Sequence, residues 1–450
     1  MHYIVWVLLA IYFVIPVILY FLVPKDPVIN PRKRAIVLVL GDIGRSPRMQ
    51  YHVLSLVETG FEVYFCGYTE TEPLLAIKNS PSVTIKQIKT AESLKIPSSV
   101  PFIFRAVVKV FYLTYQLFTI LKPLRNSEYL LVQNPPSLPT MFVAFFFTRY
   151  LSRRTRFVID WHNFGYTVLG LKLGNDNILV RISKWYEHFF GRLAFANFTV
   201  TKAMAEVLVE DMGVNPYRII PLHDRPANQF QPLSAEKRAD VIKTSAIFNG
   251  FDFSRDRIVI TSTSYTPDED LNVLLDALSE YDSVSSVRLL VIVTGKGPLQ
   301  DEFIANVSKR SWRSVTVRTV WLTAEEYPVI IGTADVGVSL HLSTSGWDLP
   351  MKVVDMFGCG IPVLARNFPA LPELVVAGRN GQVFDSASDL ANLLNQLTNN
   401  PQELLRLRKG ALTEGGNRWN EQWRITAGPV FHIPNREDFT EVYSSSSDEE

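Results

Sequence analysis

Short apolar runs of strand character alternate with helical stretches along most of this chain, and the alternation occurs twice, on either side of a polar break. In the first half the runs are Ala35-Ile36-Val37-Leu38-Val39-Leu40, Glu62-Val63-Tyr64-Phe65-Cys66-Gly67, Tyr129-Leu130-Leu131-Val132, Phe157-Val158-Ile159-Asp160, Asn197-Phe198-Thr199-Val200 and Arg218-Ile219-Ile220. Residues 231–256 are polar and break the pattern. It restarts with strands over 257–262, 287–293, 315–317, 334–340 and 361–364. Uninterrupted apolar strands separated by helices require a mostly parallel sheet covered on both faces. The expected fold is therefore α/β, with two Rossmann-like domains facing a central cleft, over 33–230 and 257–425, joined by a linker over 231–256. Ligands of such sheets bind at the carboxyl ends of the strands. No solenoid period is present, so the doubling is one of architecture.

A chain of 450 residues is long enough for two core-bearing domains and appendages. Forty-five basic against 44 acidic residues give a net charge of +1, which supplies no field for nucleic acid. Cys66 and Cys359 are the two cysteines, both in apolar surroundings, and form no disulfide framework. Residues 4–23 are apolar and uncharged, the length of a bilayer-spanning helix. Basic residues precede no part of this stretch and no small-residue cleavage site follows it, so the segment 1–24 is expected to be a retained anchor. Lys25 and Arg32-Lys33-Arg34 place the rest of the chain in the cytoplasm by the positive-inside rule, where the glycosylation patterns at Asn197 and Asn306 are chance matches. Residues 102–121 are almost wholly apolar and aromatic, but Arg105 and Lys109 argue for an interfacial helix over a span. Residues 139–151 are expected to be a buried helix ending in a basic turn, and 426–450 a disordered tail rich in serine and acid.

The longest motif is Ser343-Thr344-Ser345-Gly346-Trp347-Asp348-Leu349-Pro350-Met351-Lys352-Val353-Val354-Asp355-Met356-Phe357-Gly358-Cys359-Gly360. A strand precedes it, Pro350 suits the first helical position, and the glycines end the helix. Such a helix entry is either plain architecture or a place for a diphosphate at residues 349–351, with Ser345 and Lys352 beside it and Asp355 accepting from a ribose diol. Gly41-Asp42-Ile43-Gly44-Arg45-Ser46-Pro47-Arg48 follows the first strand but lacks the third glycine and the distal acid of a dinucleotide fingerprint. Asp42 is either a base, a hydroxyl acceptor or a turn cap. Arg45 and Arg48 either hold a diphosphate or are solvated. Asp160-Trp161-His162-Asn163 ends another strand, and its composition suits stacking on a sugar and bonding its hydroxyls, with His162 the functional candidate. Glu187 and His188 read as ordinary helix residues. In the second half, Gly295 and Lys296 close a strand where a phosphate or base edge fits, and Glu373 follows another strand end. Thr266-Pro267-Asp268-Glu269-Asp270 has an Asp-x-Asp spacing, but a capping box from Thr266 to Glu269 accounts for it, and no metal is expected.

Taken together, the segments 41–52, 160–163, 266–270 and 348–360 resemble the chitobiosyldiphosphodolichol β-mannosyltransferase family, glycosyltransferase family 33, from the anchor to about Trp423. That resemblance implies a GT-B fold, a metal-independent inverting reaction, GDP-mannose as donor bound by the second domain, and dolichyl-diphosphate-linked chitobiose as acceptor on the side of the first domain and membrane. It places the enzyme in the endoplasmic reticulum membrane as a single-pass protein with a cytosolic catalytic part, able to work in a complex with other mannosyltransferases of the same assembly. The broader retaining GT-B pattern has a pair of glutamates. Here Asp355 occupies the second position and Trp347 the first, and Ser264-Tyr265-Thr266-Pro267 replaces the usual arginine and lysine, which agrees with inversion. An inverting transfer needs one base, His162 or Asp42, and donors for the departing diphosphate: Lys352 and the amides around Leu349 and Met351, with Lys296 and Arg45 or Arg48 as further cations. A transferase with another donor or lipid acceptor, and a non-catalytic membrane scaffold with this fold, are the alternatives.

Overall fold

The computed structural model describes residues 33–433 apart from 95, 96, 98 and 268. The expected anchor at 1–24 and residues 434–450 of the expected tail lie outside the described residues. The chain divides into two compact units, one of residues up to Leu222 together with those from Trp423 onward, the other of residues His223–Gln422.

Unit 1 runs β1 (Arg34–Asp42), α1 (Pro47–Glu58), β2 (Glu62–Tyr68), α2 (Leu75–Lys78), β3 (Val83–Gln87), α3 (Phe102–Leu121), β4 (Tyr129–Asn134), α4 (Thr140–Phe146), β5 (Arg156–Trp161), α5 (Gly165–Leu173), α6 (Ile178–Leu193), β6 (Ala196–Thr199), α7 (Lys202–Glu210) and β7 (Ile219–Pro221). Its strands form one parallel sheet in the order β3-β2-β1-β4-β5-β6-β7. Residues 35–39 of β1 are fully buried because the strand is central and helices cover both faces. The middle helix α4 buries Thr140, Met141, Val143 and Ala144.

Unit 2 runs α8 (Ala235–Thr244), β8 (Asp256–Ser262), α9 (Leu271–Val284), β9 (Arg288–Thr294), α10 (Gln300–Ser308), β10 (Val315–Val320), α11 (Glu326–Ile331), β11 (Val336–Ser339), α12 (Met351–Gly358), β12 (Val363–Arg366), β13 (Gly381–Phe384), α13 (Ala387–Asn399), α14 (Pro401–Gly415) and α15 (Trp419–Thr426), the last of which ends in unit 1. The sheet is parallel, in the order β10-β9-β8-β11-β12-β13. Leu274, Leu278, Tyr281, Val291, Val338, Leu364 and Leu394 meet in its core. The strand expected over 361–364 starts two residues later, at Val363, and Pro362 stands before it, lacking the N–H a ladder needs.

Two boundaries differ from the sequence expectation. Residues 231–256 are no free spacer: Ser234 caps α8, Ile242 and Phe248 are buried, and Arg238 bonds Asp335 at 3.0 Å and the Thr333 carbonyl at 2.8 Å, all within unit 2. Residues 426–433 are no disordered tail. Phe431 and Ile433 are buried in unit 1, where Phe431 stacks on Trp423 at 5.5 Å and meets Tyr129 edge-on at 4.9 Å. Aromatic burial of this kind outweighs the ordering entropy of a short segment.

Candidate active site

In unit 1 the strand order reverses at β1, so the loop after it opens at a switch point. Asp42 ends the strand. Its Oδ1 accepts from Gly44 N at 3.4 Å and Thr71 N at 3.1 Å, while the buried Oδ2 has no hydrogen-bond partner and lies 3.5 Å from Arg45 Nε. Gly44 is required by close packing, since a Cβ there would stand 2.4 Å from the Thr71 carbonyl oxygen. At Gly41 a Cβ would meet only Val39, at 3.5 Å. The Arg45 side chain is exposed and donates to Thr71 Oγ1 at 3.2 Å.

Asp160, at the end of β5, is the hub of a buried polar cluster. Arg48 Nε lies 2.9 Å from Oδ2 and Nη2 lies 2.8 Å from Oδ1, and Arg48 Nη1 donates to the Leu222 carbonyl at 2.8 Å. His162 Nε2 is 2.8 Å from Asp160 Oδ2 and His52 Nε2 is 3.2 Å from it. Trp423 Nε1 donates to His52 Nδ1 at 2.9 Å, and because an indole only donates, that nitrogen is the unprotonated one. Burial alone would raise the Asp160 pKa, but Arg48, His162 and His52 hold it well below the usual carboxylate range. For His52, burial outweighs the pull of Asp160 and lowers the pKa.

Three expectations are corrected here. Arg48 is 1% exposed, with its guanidinium bound to Asp160 and Leu222, so it does not reach out to a diphosphate. Asp160 is likewise wholly buried, its carboxylate taken up by Arg48, His162 and His52. Trp161 is wholly buried on the opposite face of the strand, its Nε1 on Asn197 Oδ1 at 2.8 Å and its ring against Gly191, so it stacks on no sugar. Of the group, His162 alone has an accessible side chain, 24% exposed.

Glu187, expected to be an ordinary helix residue, is wholly buried, and its Oε1 accepts from Gly165 N at 2.9 Å, fixing the first turn of α5 just past His162. Burial outweighs its hydrogen bonds and pushes its pKa to about 7. The signal was present in the periodicity: Val180, Glu187, Phe190 and Gly191 share the buried face of α6.

In unit 2 the switch point lies at β8. The turn after it is held by Glu269, a buried carboxylate that accepts from Thr263 Oγ1 and Ser264 N, each at 2.8 Å, and pairs with Lys352 Nζ. The capping box expected at Thr266 is therefore displaced. Asp270 caps α9 by accepting from Asn272 N at 3.1 Å, and Glu269 faces inward. Gly295 and Gly297 pack on the same turn: a Cβ on either would stand 1.7 Å from the carbonyl oxygen of Thr263 or Ser264. Lys296 is exposed, with its ammonium 4.9 Å from the centre of the Trp321 ring.

The loop after β11 is tied by Asp348, which pairs with His341 at 3.1 Å and accepts from Ser343 Oγ; Ser345 Oγ accepts from Trp347 N at 3.2 Å. Helix α12 starts at Met351, with Pro350 as its N-cap, one position later than expected. Proline offers no side-chain acceptor, so the first turn keeps donors that an external anion can take. Leu349 is 9% exposed, leaving main-chain contact as its available role. One turn into the helix, burial and then the nearby Asp224 push Asp355 well above the usual carboxylate range. Glu373 pairs with His223 at 2.7 Å. Among the described residues no three His, Cys, Asp or Glu side chains group as metal ligands.

A family model described as glycosyl transferases group 1 matches residues 255–400, which include β8 and α12. The chain is 45% identical to a chitobiosyldiphosphodolichol beta-mannosyltransferase of Yarrowia lipolytica over 98% of each chain. It is 36% identical to a protein of Arabidopsis thaliana named UDP-glycosyltransferase TURAN, covering 89% of this chain and 97% of that one. Among solved structures, WaaG, a glycosyltransferase involved in lipopolysaccharide biosynthesis, matches with a TM-score of 0.61 at 14% identity, over 89% of this chain and all of that one. At that identity the likeness is one of fold, the GT-B arrangement of two parallel-sheet units.

Proposed function

We propose, from the premise that this chain belongs to the chitobiosyldiphosphodolichol β-mannosyltransferase family of glycosyltransferases, that it transfers the first, β-1,4-linked mannose from GDP-mannose to dolichyl-diphosphate-linked chitobiose. The identity to the Yarrowia enzyme along 98% of both chains carries this reading. The chain acts in the endoplasmic reticulum membrane, anchored by residues 4–23, with its catalytic part in the cytosol.

Transfer with inversion is a single displacement in which a base takes the proton of the acceptor hydroxyl while GDP departs. His162 is the base. Its bond to Asp160 orients the ring and leaves Nδ1 for the hydroxyl, and the carboxylate stabilises the imidazolium that forms. Asp42 Oδ2, buried and without a hydrogen bond, accepts from an acceptor hydroxyl, with Arg45, 3.5 Å from it, the adjacent cation for the acceptor's diphosphate. On the donor side the amides of the first turn of α12 and Lys352, held by Glu269, meet the charge of the departing diphosphate, and Ser345 borders it. Asp355 takes the ribose diol. Gly295, Lys296 and Glu373 border the nucleotide.

Purified protein given lipid-linked chitobiose and a panel of GDP- and UDP-sugars tests this. GDP-mannose should be the productive donor, His162→Ala should abolish transfer with donor affinity retained, and Lys352→Ala should weaken donor binding about tenfold. The name of the Arabidopsis relative favours a second reading, a UDP-sugar donor, and productive transfer from a UDP-sugar alone would establish it.

A further inference from the structure

We infer that the outer face of α6, together with the exposed edge of α3, docks flat on a phospholipid bilayer bearing anionic headgroups. A helix on the outside of a parallel sheet ordinarily turns polar residues to water. In α6 the reverse holds. Ile178, Ile182, Trp185, Phe189 and Leu193 recur every three or four residues and are exposed, Trp185 to 64% and Ile182 to 53%. Trp185 and Phe189 stack on each other at 5.6 Å, forming an apolar ridge. Beside it run the cations of Arg181, Lys184 and Arg192, which with His188 and the two aromatic rings line a groove of about 370 Å³. Arg181 and Lys184 are both exposed, and the Lys184 ammonium lies 5.4 Å from the centre of the Tyr166 ring.

Helix α3 repeats the character. Phe104, Val107, Val108, Phe111 and Tyr115 form an exposed stripe, Phe111 and Tyr115 each to 71%, and an 18-residue window within Phe104–Leu124 has a mean hydropathy of 1.3. By length it is able to cross a bilayer, yet its other flank is held by protein. The Gln116 amide bonds both main-chain groups of Lys89, at 3.0 and 2.9 Å, Tyr112 meets Ser93 at 3.2 Å, and Leu117 and Leu121 are buried. A helix so attached lies along the surface and is not surrounded by lipid. Helix α4 packs between the two, joined to α3 through Phe118 and Phe146 at 5.4 Å and to α6 through Phe145 and Phe190 at 5.8 Å.

The charge pattern selects the occupant. An aromatic and aliphatic ridge with cations immediately beside it matches acyl chains under a layer of phosphates, and Trp, Lys and Arg are the side chains favoured at that depth. A protein partner is the competing occupant. The proposal depends on no assignment of donor or acceptor.

The test uses the full chain in vesicles. Cys66 and Cys359 are buried, so Ile182→Cys provides a single accessible site for an environment-sensitive fluorophore. In phosphatidylcholine vesicles containing phosphatidylserine, emission should shift blue and be quenched by lipids carrying a nitroxide near the headgroup. The ratio of docked to undocked label should fall about fivefold for each of Arg181→Gln and Lys184→Gln. Transfer to a short-chain, water-soluble acceptor should be unchanged in both variants, which separates this surface from the active-site reading. Solvent-like, unquenched emission in pure lipid vesicles overturns the proposal, as does a blue shift that appears only when other membrane proteins are added.

Discussion

Asp160→Asn is the most informative single perturbation of unit 1, because it removes a charge while keeping a shape. The guanidinium of Arg48 is 1% exposed and has Asp160 as its counter-ion. An asparagine turns one acceptor into an NH2 group, which then faces either Arg48 Nε or His162 Nε2, both donors towards this carboxylate. Leaving a buried cation without its partner costs about 3–5 kcal/mol. Arg48→Met alone exposes the mirror problem, a buried carboxylate supported only by two histidines, and should cost a similar amount. In the double variant Arg48→Met with Asp160→Leu both charges go, and the expected cost falls to about 0–2 kcal/mol, a coupling of several kcal/mol. Hydrogen exchange followed by mass spectrometry on peptides from α1 and β5 reads this as local opening free energy, which avoids treating a two-unit chain as two-state. Single variants that exchange like the parent, or a double variant whose cost is the sum of the two, would refute the reasoning. Transfer activity supplies the second readout: the double variant should fold yet transfer slowly, since His162 has lost the carboxylate that orients it.

Glu187 holds its proton to about pH 7 in the fold, against 4.5 for the free side chain, so between those values the unfolded chain binds fewer protons and stability falls as pH rises. The gap amounts to about 3 kcal/mol above pH 7, and Glu187→Gln, which keeps an acceptor for Gly165 N, should raise the melting temperature by ~5 °C at pH 8 and leave it unchanged at pH 4.5. Equal shifts at both pH values would exclude the buried carboxyl as the cause. In unit 2, Gly295→Ala should cost several kcal/mol and donor binding, because its Cβ would overlap the Thr263 carbonyl at a φ of +144°, whereas Gly346→Ala, at +84° with its nearest neighbour 3.5 Å away, should cost about 1 kcal/mol. Thermal unfolding of the pair would contradict this if the two shifts were alike.

The central strands were legible because a parallel strand covered on both faces has to be apolar along its middle, as β1, β5 and β9 are. Two strands at sheet edges were not: β3, Val-Thr-Ile-Lys-Gln, is half-exposed, and β13 starts at a glycine, so neither has that composition. In the motifs, spacing located strand ends and loops correctly but left open which way a polar side chain turns. Arg48 and Asp160 have the same residue types as a diphosphate clamp, and only the three-dimensional pairing of residues 112 positions apart shows that they satisfy each other. Glu269 is a similar case, since cap chemistry and an inward carboxylate are both compatible with Thr-Pro-Asp-Glu-Asp, and the choice is made by Lys352, 83 residues away. Sequence reasoning missed His52 for the same reason: its place on the buried side of α1 beside Met49, Val53 and Leu56 was visible, while its proximity to Asp160 was not.

The return of residues from Trp423 onward to unit 1 has a consequence for synthesis of the chain. The ribosome makes β1 to β7 first, but the indole that fixes the His52 tautomer and the ring that covers Tyr129 and Phe61 emerge only after all of His223–Gln422. Unit 1 is thus begun first and completed last, and unit 2 is able to fold as an uninterrupted stretch while its predecessor waits with an open aromatic pocket. A nascent or truncated chain ending near residue 422 would therefore be defective in the N-terminal half, far in sequence from the lesion, and would present that pocket to chaperones.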